Sequence, residues 1–169
     1  MRWLRFALVA LVAVLAQVTV MRACGPPARR PDLVVAVLVV FALGVRKGQA
    51  FAAGGLLGLG RDLFTVEPFG LGIATLALLG LGLAWLRPNV FADHPVTHAI
   101  LGFVCAAACG GVSALAVAVQ GGAPSLAAVG KSLALRGAET ALVAGLLGWL
   151  VWRRARWFGL RPRVEFRHV

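Results

Sequence analysis

Apolar residues in this chain come in long runs, and polar residues collect at the breaks between them. The first run is Leu4 to Met21, with Arg2 and Arg5 in front of it. The break "CGPPARRPD" (Cys24 to Asp32) follows, and its prolines deny helix. Pro31 and Asp32 then stand where a helix start favours them, ahead of "LVVAVLVVFALGV" from Leu33 to Val45. Arg46-Lys47 closes that run, and a Gly/Ala-rich third run from Gln49 passes through Arg61-Asp62 to Val66. Phe69 to Leu86, His98 to Val119 and Leu133 to Trp152 are the remaining runs. They are separated by "RPNVFADHPVTH" and the turn "QGGAPS", and "RRARWFGLRPRVEFRHV" forms a basic, amphiphilic tail. This pattern predicts an all-α polytopic bundle of about six transmembrane helices, near residues 4–21, 33–45, 49–66, 69–86, 98–119 and 133–152, with a tail over 153–169.

Two of the runs are short. Leu33 to Val45 covers roughly 20 Å at 1.5 Å per residue, against a hydrocarbon core of about 30 Å. The second and third segments therefore predict a tight hairpin, either partly re-entrant or shielded by neighbouring helices. The first run resembles a signal peptide, and "MRA" before Cys24 loosely resembles a lipoprotein cleavage site. Arg22 fits such a site badly, so an uncleaved first helix is the expectation.

Composition agrees with the pattern. Hydrophobic residues make up 60% of the 169 and charged residues only 14%, with a mean hydropathy of +0.89, too little polar surface to wet a soluble globule. The formal net charge of +11 would suit nucleic acid, but the basic residues sit between apolar runs and in the tail, as membrane topology requires. With the N-terminus inside, alternate loops place Arg2, Arg5, Arg46, Lys47, Arg87 and the tail's Arg153, Arg154, Arg156, Arg161, Arg163 and Arg167 inside. These are eleven of the 17 basic residues, so both termini are expected in the cytoplasm. Trp3, Trp85, Trp149, Trp152 and Trp157 lie near run ends, where headgroups would hold them. The tail is expected to lie on anionic lipid, at about 1 kcal/mol per basic residue near the surface.

Candidate chemistry is sparse. Small residues recur four apart at Gly102, Ala106, Gly110, Ala114 and Ala118, at Gly137, Ala141 and Gly145, and at Gly54 and Gly58. Lipid gives helices no hydrophobic drive to associate, so such ladders mark close packing within the bundle, with a homodimer seam as the alternative use. The longest ladder predicts that the fifth helix is central. Cys24, Cys105 and Cys109 give no disulfide framework, and the last two read as small buried apolar groups. His98 and Cys105 stand about 10 Å apart along a helix, too far to share a metal, so no metal or other cofactor is implied. Arg136 and Glu139 share a helix face and are expected to pair and snorkel. No G-x-S-x-G, H-E-x-x-H or paired membrane Asp is present, so catalysis has little to work with.

One stretch stands out, "GGLLGLGRDLFTVEPFG" from Gly54 to Gly70, where a glycine-rich helix ends on an adjacent ion pair. With Pro31-Asp32-Leu33 opening the second helix, Arg46-Lys47 in the turn, Gly54 and Gly58, Asp62, and Pro68 with Gly70, residues 31–86 resemble the bacterial rod shape-determining MreD family. The typical member reads Pro-Leu-Gly where this chain has Pro68-Phe69-Gly70, and helices five and six carry no family motif. The resemblance implies a non-enzymatic scaffold of the cell-elongation machinery. It would bind the single-span protein MreC and couple MreB filaments to RodA-like glycosyltransferases and transpeptidases that build peptidoglycan. It also implies a fold similar to the substrate-binding subunits of energy-coupling-factor vitamin transporters, and hence the alternative of a vitamin-binding subunit. On this reading Asp32, Arg61, Asp62, Pro68 and Gly70 are the candidate partner-binding residues. Adjacent residues point to different helix faces, so Asp62 is expected to meet a partner other than Arg61, such as Arg29, Arg30 or a group on MreC.

Overall fold

The computed structural model describes residues 3–23, 30–65, 68–90, 94–122 and 125–153. Cys24, Arg29, Val66, Glu67 and the tail beyond Arg153 lie outside the described residues. Six α-helices account for nearly all of the chain described, and no strand occurs among the described residues. They are α1 (Trp3–Ala23), α2 (Leu33–Ala42), α3 (Lys47–Asp62), α4 (Leu71–Leu86), α5 (Pro95–Val119) and α6 (Leu126–Arg153), with a 3-10 turn at Arg87–Asn89 extending α4. Three stretches are long and apolar enough to cross a membrane: Leu71–Asn89, Pro95–Val119 and Leu126–Val151. Phe6–Thr19 and Leu33–Ala42 are shorter apolar helices.

The helix ends depart from the apolar runs for local reasons. After Ala42 the chain tightens, with Leu43 N–H on the Val39 carbonyl and Gly44 N–H on that of Phe41, and extended Arg46 then caps α3. The second helix is thus three residues shorter than its run. α3 stops at Asp62 in the same manner, Phe64 N–H bonding the Arg61 carbonyl. α4 begins at Leu71 rather than Phe69, because Gly70 adopts a left-handed φ of 99° that ends the preceding turn. His94 caps α5 through Nδ1 on the Val96 N–H, with Pro95 in the first turn. α6 starts seven residues before the expected Leu133, where Ser125 Oγ accepts the Ala128 N–H.

The centre of the bundle is α2. Every residue from Val34 to Ala42 is buried, and α2 touches each of the other five helices. This overturns the expectation that the fifth helix is central. α2 has no polar face, and the other five helices cover its apolar surface where lipid would otherwise meet it. Its burial also accounts for its shortness, since a helix of roughly 15 Å need not span alone when protein shields its ends. Phe41 near the end of α2 packs edge-on against Phe6 near the start of α1, with ring centroids 4.9 Å apart, and Leu33 at the start of α2 bonds Gln17 late in α1, so α1 runs antiparallel to α2.

Glycines join the remaining helices into two pairs, α3 with α4 and α5 with α6. A Cβ on Gly54 would strike the Leu76 carbonyl, one on Gly58 would lie 2.5 Å from the Gly72 carbonyl oxygen, and one on Gly80 would lie 2.5 Å from that of Ala50. The backbones of α3 and α4 therefore touch. In the second pair, Gly102 faces Ala144 and Ala141, Gly110 faces Leu133, Gly137 faces Phe103, and Gly145 faces Ala99. The fifth-helix ladder serves that pairing at one end only. Gly102 and Ala106 are buried, Gly110 and Ala114 half-buried, and Ala118 exposed.

At one end of the bundle Arg87 reaches the Val45 carbonyl at 3.4 Å, and Lys47 Nζ sits 4.2 Å above the Trp85 ring. Arg46, Lys47 and Arg87 thus share that end. The opposite end holds the first residues of α2 and α4 and the last of α3.

Candidate functional site

The opposite end is held by two carboxylates with different tasks. Asp32 precedes α2 and caps it, Oδ1 accepting the Val35 N–H at 3.1 Å. The neighbouring donors are satisfied from distant helices. Leu33 N–H goes to Gln17 Oε1 on α1 at 2.8 Å, and Asp32 N–H to Thr140 Oγ1 on α6 at 2.8 Å. Thr140 is fully buried, and its hydroxyl donates in turn to the Arg136 carbonyl at 2.7 Å. The start of a buried helix has orphan N–H groups that cost free energy if left dry, and side chains of α1 and α6 meet that need here.

Asp32 Oδ2 also accepts from Arg61 Nη1 across 3.4 Å, joining the end of α3 to the start of α2. Arg61 Nη2 lies 3.5 Å from Ser113 Oγ of α5. Both contacts are long, and the two side chains are 12% and 8% exposed, so little water competes for them.

Asp62 points elsewhere. Its Oδ2 accepts the N–H groups of Gly70 at 2.9 Å and Ile73 at 3.2 Å, and its Oδ1 accepts that of Gly72 at 3.0 Å. Gly70 occupies the cap position of α4 without a side chain to fill it, and Asp62 fills it from the end of α3. A carboxylate on a helix N-terminus is favoured by both the orphan donors and the helix dipole. Residues 61 and 62 do diverge in direction, and Asp62 turns inward onto the start of α4; Arg29, one of the groups expected to meet it, lies outside the described residues. Gly72 is part of the device, because a Cβ there would strike Asp62 Oδ1.

Of the five candidate partner-binding residues, Asp32, Arg61 and Asp62 are therefore part of the internal framework. Gly70 donates to Asp62, while Pro68 is exposed and gives its carbonyl to Leu71 N–H at 3.2 Å. Sequence reasoning missed Gln17, Ser113, Thr140 and Gly72. Of these only Gly72, two residues beyond Gly70 at a helix start, left a readable sign.

The expected Arg136–Glu139 pair does not form. Arg136 lines a cleft at this end of the bundle, whereas Glu139 Oε2 is buried without a hydrogen-bond partner among the described residues. The cleft is open on one side, has a volume of about 200 Å³, and lies between α1, the approach to α2, the end of α3 and α6. Among the described residues no three His, Cys, Asp or Glu side chains lie together as metal ligands would. Cys105 and Cys109 are buried free thiols, and His98 is buried with its ring against Gly148.

Comparisons with protein-family models, with curated proteins and with solved structures each found no match for this chain.

Proposed function

We propose that this protein is a non-enzymatic scaffold of the bacterial cytoplasmic membrane, working in the cell-elongation complex as members of the MreD family do. It binds an MreC-like single-span protein and helps couple MreB filaments to a RodA-like glycosyltransferase and a transpeptidase, and so takes part in setting cell shape. One observation carries the reading. Asp32, Asp62 and Gly70, positions on which the sequence resemblance rests, belong with Arg61 to one linked framework that ties α2, α3 and α4 together. What supports the reading is that the residues of that resemblance are used together, at one end of the bundle. Large apolar side chains are exposed along α1, α5 and α6, and they offer lipid, a partner helix or a second copy of this chain a surface to pack on.

The alternative, a vitamin-binding subunit of an energy-coupling-factor type transporter, has the cleft in its favour. At about 200 Å³ that cleft is smaller than the roughly 300–1,000 Å³ of ordinary ligand pockets. Phe64 lines it, but Phe69 is exposed and has no part in it. The scaffold is the better fit.

Purification of the tagged protein from native membranes in mild detergent, followed by mass spectrometry, tests the choice. The scaffold reading expects an MreC-like protein and wall-synthesis enzymes among the recovered partners. Recovery of paired ATPases with a coupling membrane subunit would replace it with the transporter reading.

A further inference from the structure

Arg46, Lys47 and Arg87 gather at the end of the bundle away from Asp32, from the start of α3 and the turn that extends α4. Lys47 is held over the Trp85 ring and Arg87 on the Val45 carbonyl, so both cations have set positions. Arg46 and Lys47 are exposed, Arg87 is half-buried, and none of them meets a carboxylate among the described residues. Asp32 and Asp62 hold the opposite end, Glu139 stands midway along α6, and Asp93 lies outside the described residues. Like charges gathered on one level repel, and an anion placed among them relieves the repulsion.

Next to this cluster the outer face of α3 is grooved. Gly48, Ala52 and Gly55 follow one another at four and three residues, and so lie along one line of the helix. Gly48 and Ala52 are exposed, and a Cβ on Gly48 or Gly55 would meet nothing within 4 Å. Exposed Phe51 and Leu56 flank the line on either side, and exposed Leu59 closes its far end. From Gly48 to Gly55 the track runs roughly 10 Å at 1.5 Å per residue, from the basic level toward the middle of the bundle. The surface therefore suits a ligand that is anionic at its head and apolar along its body. A transmembrane helix fits it less well, because helices carry Lys and Arg at their cytoplasmic ends and would bring like charge to this level. A phosphodiester takes paired N–H groups from arginine, and its acyl chain can follow the track.

We propose that the start of α3 is a binding site for an anionic phospholipid, with its headgroup among Arg46, Lys47 and Arg87 and an acyl chain along Gly48, Ala52 and Gly55. The site is independent of the scaffold reading, and neither stands or falls with the other.

The test holds the full chain in phosphatidylcholine bilayers that contain phosphatidylglycerol as the minor lipid. Native mass spectrometry then measures the lipid that stays with the protein after extraction. Wild type should retain phosphatidylglycerol with about a tenfold preference over phosphatidylcholine, relative to the bilayer's composition. Arg46→Gln/Lys47→Gln should lose that preference. Ala52→Leu/Gly55→Leu fills the track, leaves every charge in place and should lower retention several-fold. Both of its positions border open space, so it reads the site even if the charge variant folds poorly.

Arg161→Gln/Arg163→Gln, in the basic tail, should keep the preference. The proposal is overturned if wild type shows no preference, or if the charge or the track variant retains lipid as wild type does. Equal loss in the tail variant also overturns it, since the attraction would then be general to basic residues. Loss of a co-purified single-span protein from the track variant, with lipid retention unchanged, would assign the track to a partner helix and overturn it as well.

Discussion

Arg61 and Asp62 show how much one step along a helix changes. Consecutive residues are about 100° apart around the axis, so the guanidinium turns to α2 and the carboxylate to α4. Asp62 holds three N–H groups that α4 cannot satisfy itself, which predicts a stability role separable from any partner contact. Asp62→Ala should lower the unfolding temperature in detergent by several degrees, as expected for losing a buried charged cap valued at about 1–3 kcal/mol. Asp62→Asn keeps one acceptor oxygen and should fall between the two. If Asp62→Asn instead lowered partner recovery with the unfolding temperature unchanged, the side chain would be acting at an interface and the cap would be secondary. The sequence disclosed the divergence of the two residues but not the target. Cap signals are read within three residues of a helix start, and Asp62 caps a helix whose first residue lies nine positions on. The empty cap at Gly70 was the visible half of the arrangement.

At the scale of helices, the α3–α4 hairpin depends on backbone contact, and its glycines are therefore unequal. Gly54→Val would drive a side chain into the Leu76 carbonyl, and Gly58→Val one into Gly72 and Ile73. Both should separate the pair and lower the yield of folded, monodisperse protein in detergent. Gly55→Ala meets nothing within 4 Å and should be neutral or stabilising by up to about 1 kcal/mol, since alanine favours helix. Equal damage from Gly55→Ala and Gly54→Val would mean that the loss of glycine, rather than contact, is what matters. The four-residue ladders made Gly54, Gly58, Gly102 and Gly137 legible because they share a helix face. Gly80 escaped because it stands eight residues from Gly72 with Leu76 midway, so α4 carries no four-residue ladder. The central place of α2 was hidden by its length, although its sequence offers no side to water. Lys131 hid the early start of α6 by interrupting an apolar run that Ser125 had already opened.

Across the whole molecule the polar contacts fall into two levels, and their separation fits a bilayer. Leu71–Asn89 covers 19 residues, from the Asp62 cap to the Arg87 end. At 1.5 Å per residue that is roughly 28 Å, close to one hydrocarbon thickness. α5 gives the same measure from Pro95 to Ser113, where it meets Arg61. Beyond Ser113 the α5–α6 hairpin runs on past the start of α4, with Leu115, Val117, Val119 and Leu126 exposed. The end with Arg46, Lys47 and Arg87 is the more basic of the two levels, and Lys47 and Arg153 lie over Trp85 and Trp149, as interfacial pairs do. On the proposed orientation that end faces the cytoplasm with both termini, and the Asp32 cleft and the α5–α6 turn face outward. Single cysteines decide the matter, in a chain whose own Cys24, Cys105 and Cys109 are replaced by alanine. Gln120→Cys, exposed beside the α5–α6 turn, should react with a membrane-impermeant maleimide on intact cells. Gly48→Cys, exposed at the start of α3 with open space around it, should react only after the membrane is breached. The reverse pattern would invert the protein and turn the arginine cleft toward the cytoplasm. Labelling of both sites on intact cells would mean that these polar levels do not lie on opposite faces of one bilayer.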